Sequence, residues 1–199
     1  MQKKLLIGGG ITRQWPTDTQ VIEKAISRPV FKEIKTPALR LILERLELHF
    51  RSKKSENTEI PAGLQIEHVL PQKWAAHWPL KGKTISADVM AYPHLAKDDL
   101  EGFGDWVRAR NSVLQTLGNL SLLNQYLNPA ASNGSFEMKK IEYRNSVLRL
   151  NRHFEGLAEW NEEAIAQRGK SLGEAVCRIW PRADLQAANS DNPVSNNRP

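Results

Sequence analysis

The chain has 199 residues, with 28 Lys plus Arg against 22 Asp plus Glu, a formal charge of +6 and an isoelectric point near 9.5. That length, with 40% hydrophobic residues, is enough to bury one core, and the basic balance favours a polyanionic partner without identifying one. A single cysteine, Cys177, excludes an internal disulfide framework and the common structural zinc sites, so a catalytic metal would have to sit on oxygen and nitrogen ligands.

The first dozen residues, ending in Gly8-Gly9-Gly10, read as a lead-in. Their apolar stretch is too short for the core of a signal peptide, no membrane-spanning run follows, and the expected location is the cytoplasm. Thr17 and Asp18 predict a short helix through Ser27 with Val21, Ile22 and Ala25 inward, stopped by Arg28-Pro29. Thr36 followed by Pro37 reads as an N-cap and first-turn pair. Behind it Leu39, Ile42, Leu43, Leu46 and Phe50 repeat at helical spacing. Residues 51 to 59 are charged and without apolar period, which predicts an exposed linker.

Leu64 to Leu70 reads as a brief strand ending at His68, because Pro71 prevents further ladder pairing. Residues 73 to 104 read as an irregular insertion with short helical turns, and Asp105 to Gln115 as a helix with Trp106, Ala109 and Val113 on one side. Gly118 then releases the chain into a second apolar strand, Asn119 to Leu123. After a loop containing Asn128 and Asn133, Ser135 caps a helix through about Leu148, with Phe136, Tyr143 and Val147 at helical spacing. A last helix is expected from about Asn161 to Trp180, striped by Ile165, Leu172, Val176 and Ile179. The Asn-, Ser- and Pro-rich residues from 183 to 199 read as a disordered tail. The expected organisation is therefore an N-terminal helical flank over residues 1–60, a catalytic unit over 61–182 and the tail.

Chemistry concentrates in Glu67-His68-Val69-Leu70-Pro71-Gln72 and in Leu117-Gly118-Asn119-Leu120-Ser121-Leu122-Leu123 with Asn128. A carboxylate beside a histidine at a strand end, with two asparagines returning from a second strand, supplies a ligand for a metal, a base and an orienting group. Singly these residues are ordinary: Asn119 and Asn128 suit turns, and Lys139 and Lys140 suit a solvated helix face. The six tryptophans are more often core than base-stacking platforms.

In combination, the Glu67-His68 segment, Gly118-Asn119-Leu120 and Asn128 resemble the HNH, or ββα-metal, nucleases. Glu67-His68-x-Leu70-Pro71-Gln72, Leu117 to Leu123, Asn128, Ser132-Asn133, Phe136 and Lys139-Lys140 are most similar to the C-terminal nuclease domain of GmrSD-type modification-dependent restriction enzymes. Flanking positions from Trp15-Pro16 to Trp180-Pro181 extend the likeness over roughly residues 13 to 182. The resemblance implies an α+β, mainly helical fold in which a small β-hairpin plus helix is surrounded by further helices. It implies a metal-dependent endonuclease acting on foreign or modified phage DNA, with His68 as general base and Asn119 bracing the loop after it. Glu67 and Asn128 would hold one divalent cation, Mg²⁺ with Mn²⁺ as substitute, and Lys139 and Lys140 would hold the DNA backbone. The family's N-terminal ParB-like NTPase domain would be a partner outside this chain, since residues 1 to 60 contain no glycine-rich phosphate loop. A nucleic-acid-binding module without turnover, and an RNA or single-strand nuclease, are the alternatives.

Overall fold

The computed structural model describes residues 15–51, 59–96, 102–124 and 134–182. The lead-in, most of the expected linker, Asn128, Asn133 and the tail lie outside the described residues. Helix α1 (Asp18–Ser27) opens with a capping box, the Thr17 hydroxyl accepting from the Gln20 amide at 3.2 Å and the Gln20 side chain accepting from the Thr17 amide at 2.9 Å. After the single turn α2 (Val30–Glu33), α3 runs from Thr36 to Phe50. Its N-cap is Lys35 rather than Thr36, which is already helical, and no side chain caps this end. The expected stripe of α3 also shifts at its C-terminal end. Leu39, Leu43 and Leu46 are buried, but Phe50 is turned outward and Glu47 takes the inward place. The Glu47 carboxylate is satisfied there by Arg51 Nε at 2.8 Å and the Leu150 amide at 2.9 Å.

Strands β1 (Leu64–His68) and β2 (Leu120–Asn124) form an antiparallel pair with Leu64 opposite Asn124 and His68 opposite Leu120. Alternation sends the two faces of this hairpin into different cores. Leu64, Leu120 and Leu122 pack with Leu39, Leu43 and Leu46 of α3, while Leu123 packs with Trp74, Tyr143 and Phe154 on the other side. The run from Leu120 to Leu123 is buried throughout because it is covered twice.

The insertion between the strands consists, over its described part, of 3₁₀ turns at Trp74–Ala76 and Pro93–Leu95 around the short helix α4 (Ala87–Ala91). Helix α5 (Phe103–Val113) begins two residues earlier than its sequence pattern suggests, because Gly102 takes the left-handed conformation at φ 81° and turns the chain directly into Phe103. The buried stripe is accordingly Phe103, Val107, Arg110 and Leu114, with Ala109 exposed. Ser135 caps α6 (Phe136–Asn145), which ends before Val147, and the turn α7 (Arg149–Arg152) follows. Asn161 caps α8 (Glu162–Ile179) by accepting from the Ala164 amide at 3.0 Å. Gly169 and Gly173 let α8 lie directly on α1: a Cβ at Gly169 would meet the Ala25 carbonyl at 3.2 Å, and one at Gly173 the Ile22 Cα at 3.0 Å. No helix among the described residues is long and apolar enough to cross a membrane.

Candidate active site

His68 ends β1, and the backbone pairing continues one step further through the Val69 amide, which donates to the Asn119 carbonyl at 2.9 Å. Asn119 does not belong to the second strand. It closes a 3₁₀ turn, Leu117–Asn119, immediately before β2. Its side chain is fully buried, and every hydrogen-bonding position of the carboxamide is used. Oδ1 accepts from the Leu70 amide at 2.8 Å and from Trp160 Nε1 at 3.1 Å, while Nδ2 donates to the carbonyls of Leu70 and Leu114, both at 2.9 Å. One side chain therefore clamps both backbone groups of the residue two after the histidine, and ties that loop to the end of α5 and to Trp160.

The His68 imidazole is 8% exposed. Nε2 donates to the Gln115 side-chain oxygen at 3.1 Å, which leaves Nδ1 to accept a proton, and the Phe31 ring meets the imidazole edge-on with centroids 4.5 Å apart. The Phe31 amide in turn donates to the Gln115 carbonyl at 3.1 Å, so both neighbours of the ring are fastened to each other. Burial lowers the His68 pKa from 6.5; the Gln115 hydrogen bond opposes that shift and the Lys139 charge adds to it. At neutral pH the ring is uncharged, as a base requires. Gln115 was not foreseen, because a glutamine after a helix has no motif that marks it as a partner of a histidine 47 residues away.

Glu67 projects from the opposite face of β1 and is 6% exposed. Its carboxylate forms an ion pair with the ammonium of Lys139, which also donates to the His68 carbonyl at 2.7 Å. Burial pushes the Glu67 carboxyl up and the Lys139 amine down in pKa, and each is partly offset by the charge of the other. Lys140 donates to the Leu157 carbonyl at 3.1 Å, pairs with Glu137 at 2.7 Å and is also buried. Neither amine, as placed, is turned toward a phosphate backbone, contrary to the expectation for Lys139 and Lys140. For Lys139 the physical reason is that the buried Glu67 carboxylate needs a cation beside it, and Lys140 is instead drawn in by the Leu157 carbonyl and the exposed Glu137 carboxylate.

The same pair bears on the expected metal. Among the described residues no group of three or more His, Cys, Asp and Glu side chains could hold an ion. The cation position beside Glu67 and the His68 carbonyl is filled by the Lys139 ammonium, so as arranged Glu67 does not fit a metal shell, and Asn128 lies outside the described residues.

Arg168, from α8, is one of the flanking positions of the family likeness, which assigns it no role. It is 3% exposed and donates through Nη1 to the carbonyls of Gly118 and Leu120, both at 2.7 Å. It thereby anchors the turn that carries Asn119. Gly118 is required at that contact, since a Cβ there would lie 2.0 Å from the Ile165 carbonyl of α8. His68, Glu67 and Asn119 are thus brought to one end of the hairpin, with Glu67 on its far face.

Comparison with known proteins gives one family. The model of the GmrSD restriction endonucleases, C-terminal domain, matches residues 16–175. No match is found among curated proteins or among solved structures.

Proposed function

Because the chain belongs to the family of GmrSD restriction endonuclease C-terminal domains, we propose that it hydrolyses DNA phosphodiester bonds as an HNH-type endonuclease directed at foreign or modified phage DNA. The observation that carries this reading is His68: an uncharged imidazole at a strand end, its Nε2–H held by Gln115 and its following loop clamped by Asn119. In the proposed reaction His68 Nδ1 takes a proton from water as the water oxygen attacks phosphorus, and the bond to the leaving oxygen breaks. Gln115 holds the tautomer without adding a negative charge beside the ring, and Asn119 positions the backbone on which the ring is carried.

A divalent cation, Mg²⁺ with Mn²⁺ as substitute, and a ligand role for Asn128 remain part of the proposal on the strength of the family resemblance, whereas Glu67 would join the shell only with Lys139 moved off its carboxylate. When bound it would stabilise charge on the phosphate and the leaving oxygen. No step is drawn through it, given the Lys139–Glu67 pair. A ParB-like NTPase domain is the proposed partner in restriction. The same ion pair favours a second reading, a nucleic-acid-binding module that does not turn over, since a carboxylate already neutralised by an ammonium is a poor cation ligand. Incubation of the chain with supercoiled plasmid and with RNA, each with Mg²⁺ or Mn²⁺, separates these readings. Nicking of plasmid by the native chain and not by His68→Ala supports the DNA endonuclease. Binding without cleavage supports the module, and cleavage of RNA alone transfers the chemistry to another substrate.

A further inference from the structure

A cavity of about 330 Å³ lies between the C-terminal end of α3, α7 and α8, and its wall includes Arg149, Arg152, His153 and Arg168 with Phe50 and Leu150. Three arginines line this one cavity, and like charges held close repel one another unless an anion joins them. Among the described residues, Arg149, Arg152 and Arg168 form no ion pair, so no described carboxylate neutralises the arginines of this wall. Arg168 adds a second and independent sign. It is buried, and while Nη1 serves the Gly118 and Leu120 carbonyls and the guanidinium stacks on the Phe154 ring at 4.9 Å, Nη2 has no hydrogen-bond partner. A buried guanidinium nitrogen without an acceptor is costly, and a ligand oxygen is one way to satisfy it.

We propose that this cavity is a phosphate-binding site, in which Arg149, Arg152 and Arg168 bind the oxygens of one phosphate ester while Phe50 and Leu150 line the space for the attached sugar or base. Planar guanidinium forks match phosphate oxygens in pairs, and the volume of this open cleft is large enough for more than the phosphate alone. A wall that combines arginines with aromatic and aliphatic side chains suits a nucleotide unit better than a free inorganic anion. Arg168 also connects the cavity to the hairpin, since the Leu120 carbonyl that it holds belongs to the residue opposite His68. Two sources carry this chemistry, a backbone phosphate of a nucleic acid strand and a free nucleotide. The first rests on the endonuclease reading given above, and the phosphate site itself does not.

The test is an NMR titration of the native chain and of Arg149→Ala/Arg152→Ala with inorganic phosphate, a mononucleotide and a short DNA duplex, observing the His153 ring. Arg149 and Arg152 make no side-chain hydrogen bond or ion pair among the described residues, so the double variant keeps the fold's contacts, whereas Arg168 is left in place because it holds the Asn119 turn. His153, an exposed residue whose pKa is lowered to about 4 by partial desolvation of its ring and by the Arg168 charge, reports a neighbouring anion by a rise in pKa. The expected result is a saturable shift of His153 with phosphate and mononucleotide that weakens about tenfold or more in the double variant. If DNA is the source, the variant's dependence of duplex affinity on salt also becomes shallower, by about 0.9 per phosphate lost. An unchanged salt slope, with a mononucleotide response that is saturable in the native chain and weakened in the double variant, assigns the free nucleotide instead. No saturable response to any of the three ligands, or an equal response in the double variant, overturns the proposal. His68→Ala should retain the phosphate response, so loss of cleavage and loss of this site are separate outcomes.

Discussion

Replacing Asn119 by alanine strands four buried partners at once: the amide and carbonyl of Leu70, the carbonyl of Leu114 and the indole N–H of Trp160. None of these groups can turn to bulk solvent, because Asn119 and Leu70 are wholly buried and Trp160 nearly so. A buried polar group left without its partner costs about 1–3 kcal/mol, so even the low end of that range sums to about 4 kcal/mol here. That is a large part of the roughly 5–15 kcal/mol that a domain has in total. Urea unfolding followed by circular dichroism should therefore place the midpoint of Asn119→Ala far below that of the native chain, and its melting temperature lower by about 8–16 °C. Asn119→Asp is an informative companion, since it keeps the acceptor for Leu70 and Trp160 but sets a carboxylate against the Leu70 and Leu114 carbonyls. A loss of stability below about 1 kcal/mol in Asn119→Ala would show that the clamp is not formed as described, because that value is less than one stranded group.

Gln115→Glu places a carboxylate on the His68 Nε2–H and stabilises the imidazolium, so the acid limb of a kcat/KM pH profile should move upward, whereas an unmoved limb would remove Gln115 from the site. Lys139→Met leaves the Glu67 carboxylate buried without its cation and should cost about 3–5 kcal/mol in a denaturation experiment, most of it recovered in Lys139→Met/Glu67→Gln. Folded-state values for His68 and His153 lie below the usual 6.5, the latter at about 4. Unfolded chains therefore bind protons first, and stability should fall as pH drops below about 6.5, measurable as a decreasing melting temperature. Chelation with EDTA should end plasmid cleavage and added Mg²⁺ or Mn²⁺ should restore it; undiminished cleavage in EDTA would remove the cation from the proposal.

The hairpin was legible because its punctuation is strong. Pro71 closes β1 after His68, and Gly118 opens the approach to β2, so a strand could be placed at each motif from local pattern alone. The long helices α3 and α8 were legible from apolar period in the same way. What was not legible depends on partners distant in sequence. Phe50 falls on the apolar period of α3 but is exposed, while Glu47 is inward because Arg51 and the Leu150 amide satisfy its carboxylate, contacts that helical period does not encode. Lys139 reads as a solvated lysine until Glu67 is known to be buried opposite it. Gln115 and Arg168 act through backbone and side-chain contacts across 47 to 50 residues, and neither stands in a motif of its own. The frame of α5 was displaced by Gly102, whose left-handed conformation no periodicity can reveal.

The most direct measurement is the rate of supercoiled-plasmid nicking in Mg²⁺ by the native chain and by His68→Ala, with both proteins shown to be folded. The account predicts nicking by the native chain and a loss of about 100-fold or more in the variant, the scale of a missing general base. Equal nicking by the two proteins would contradict it.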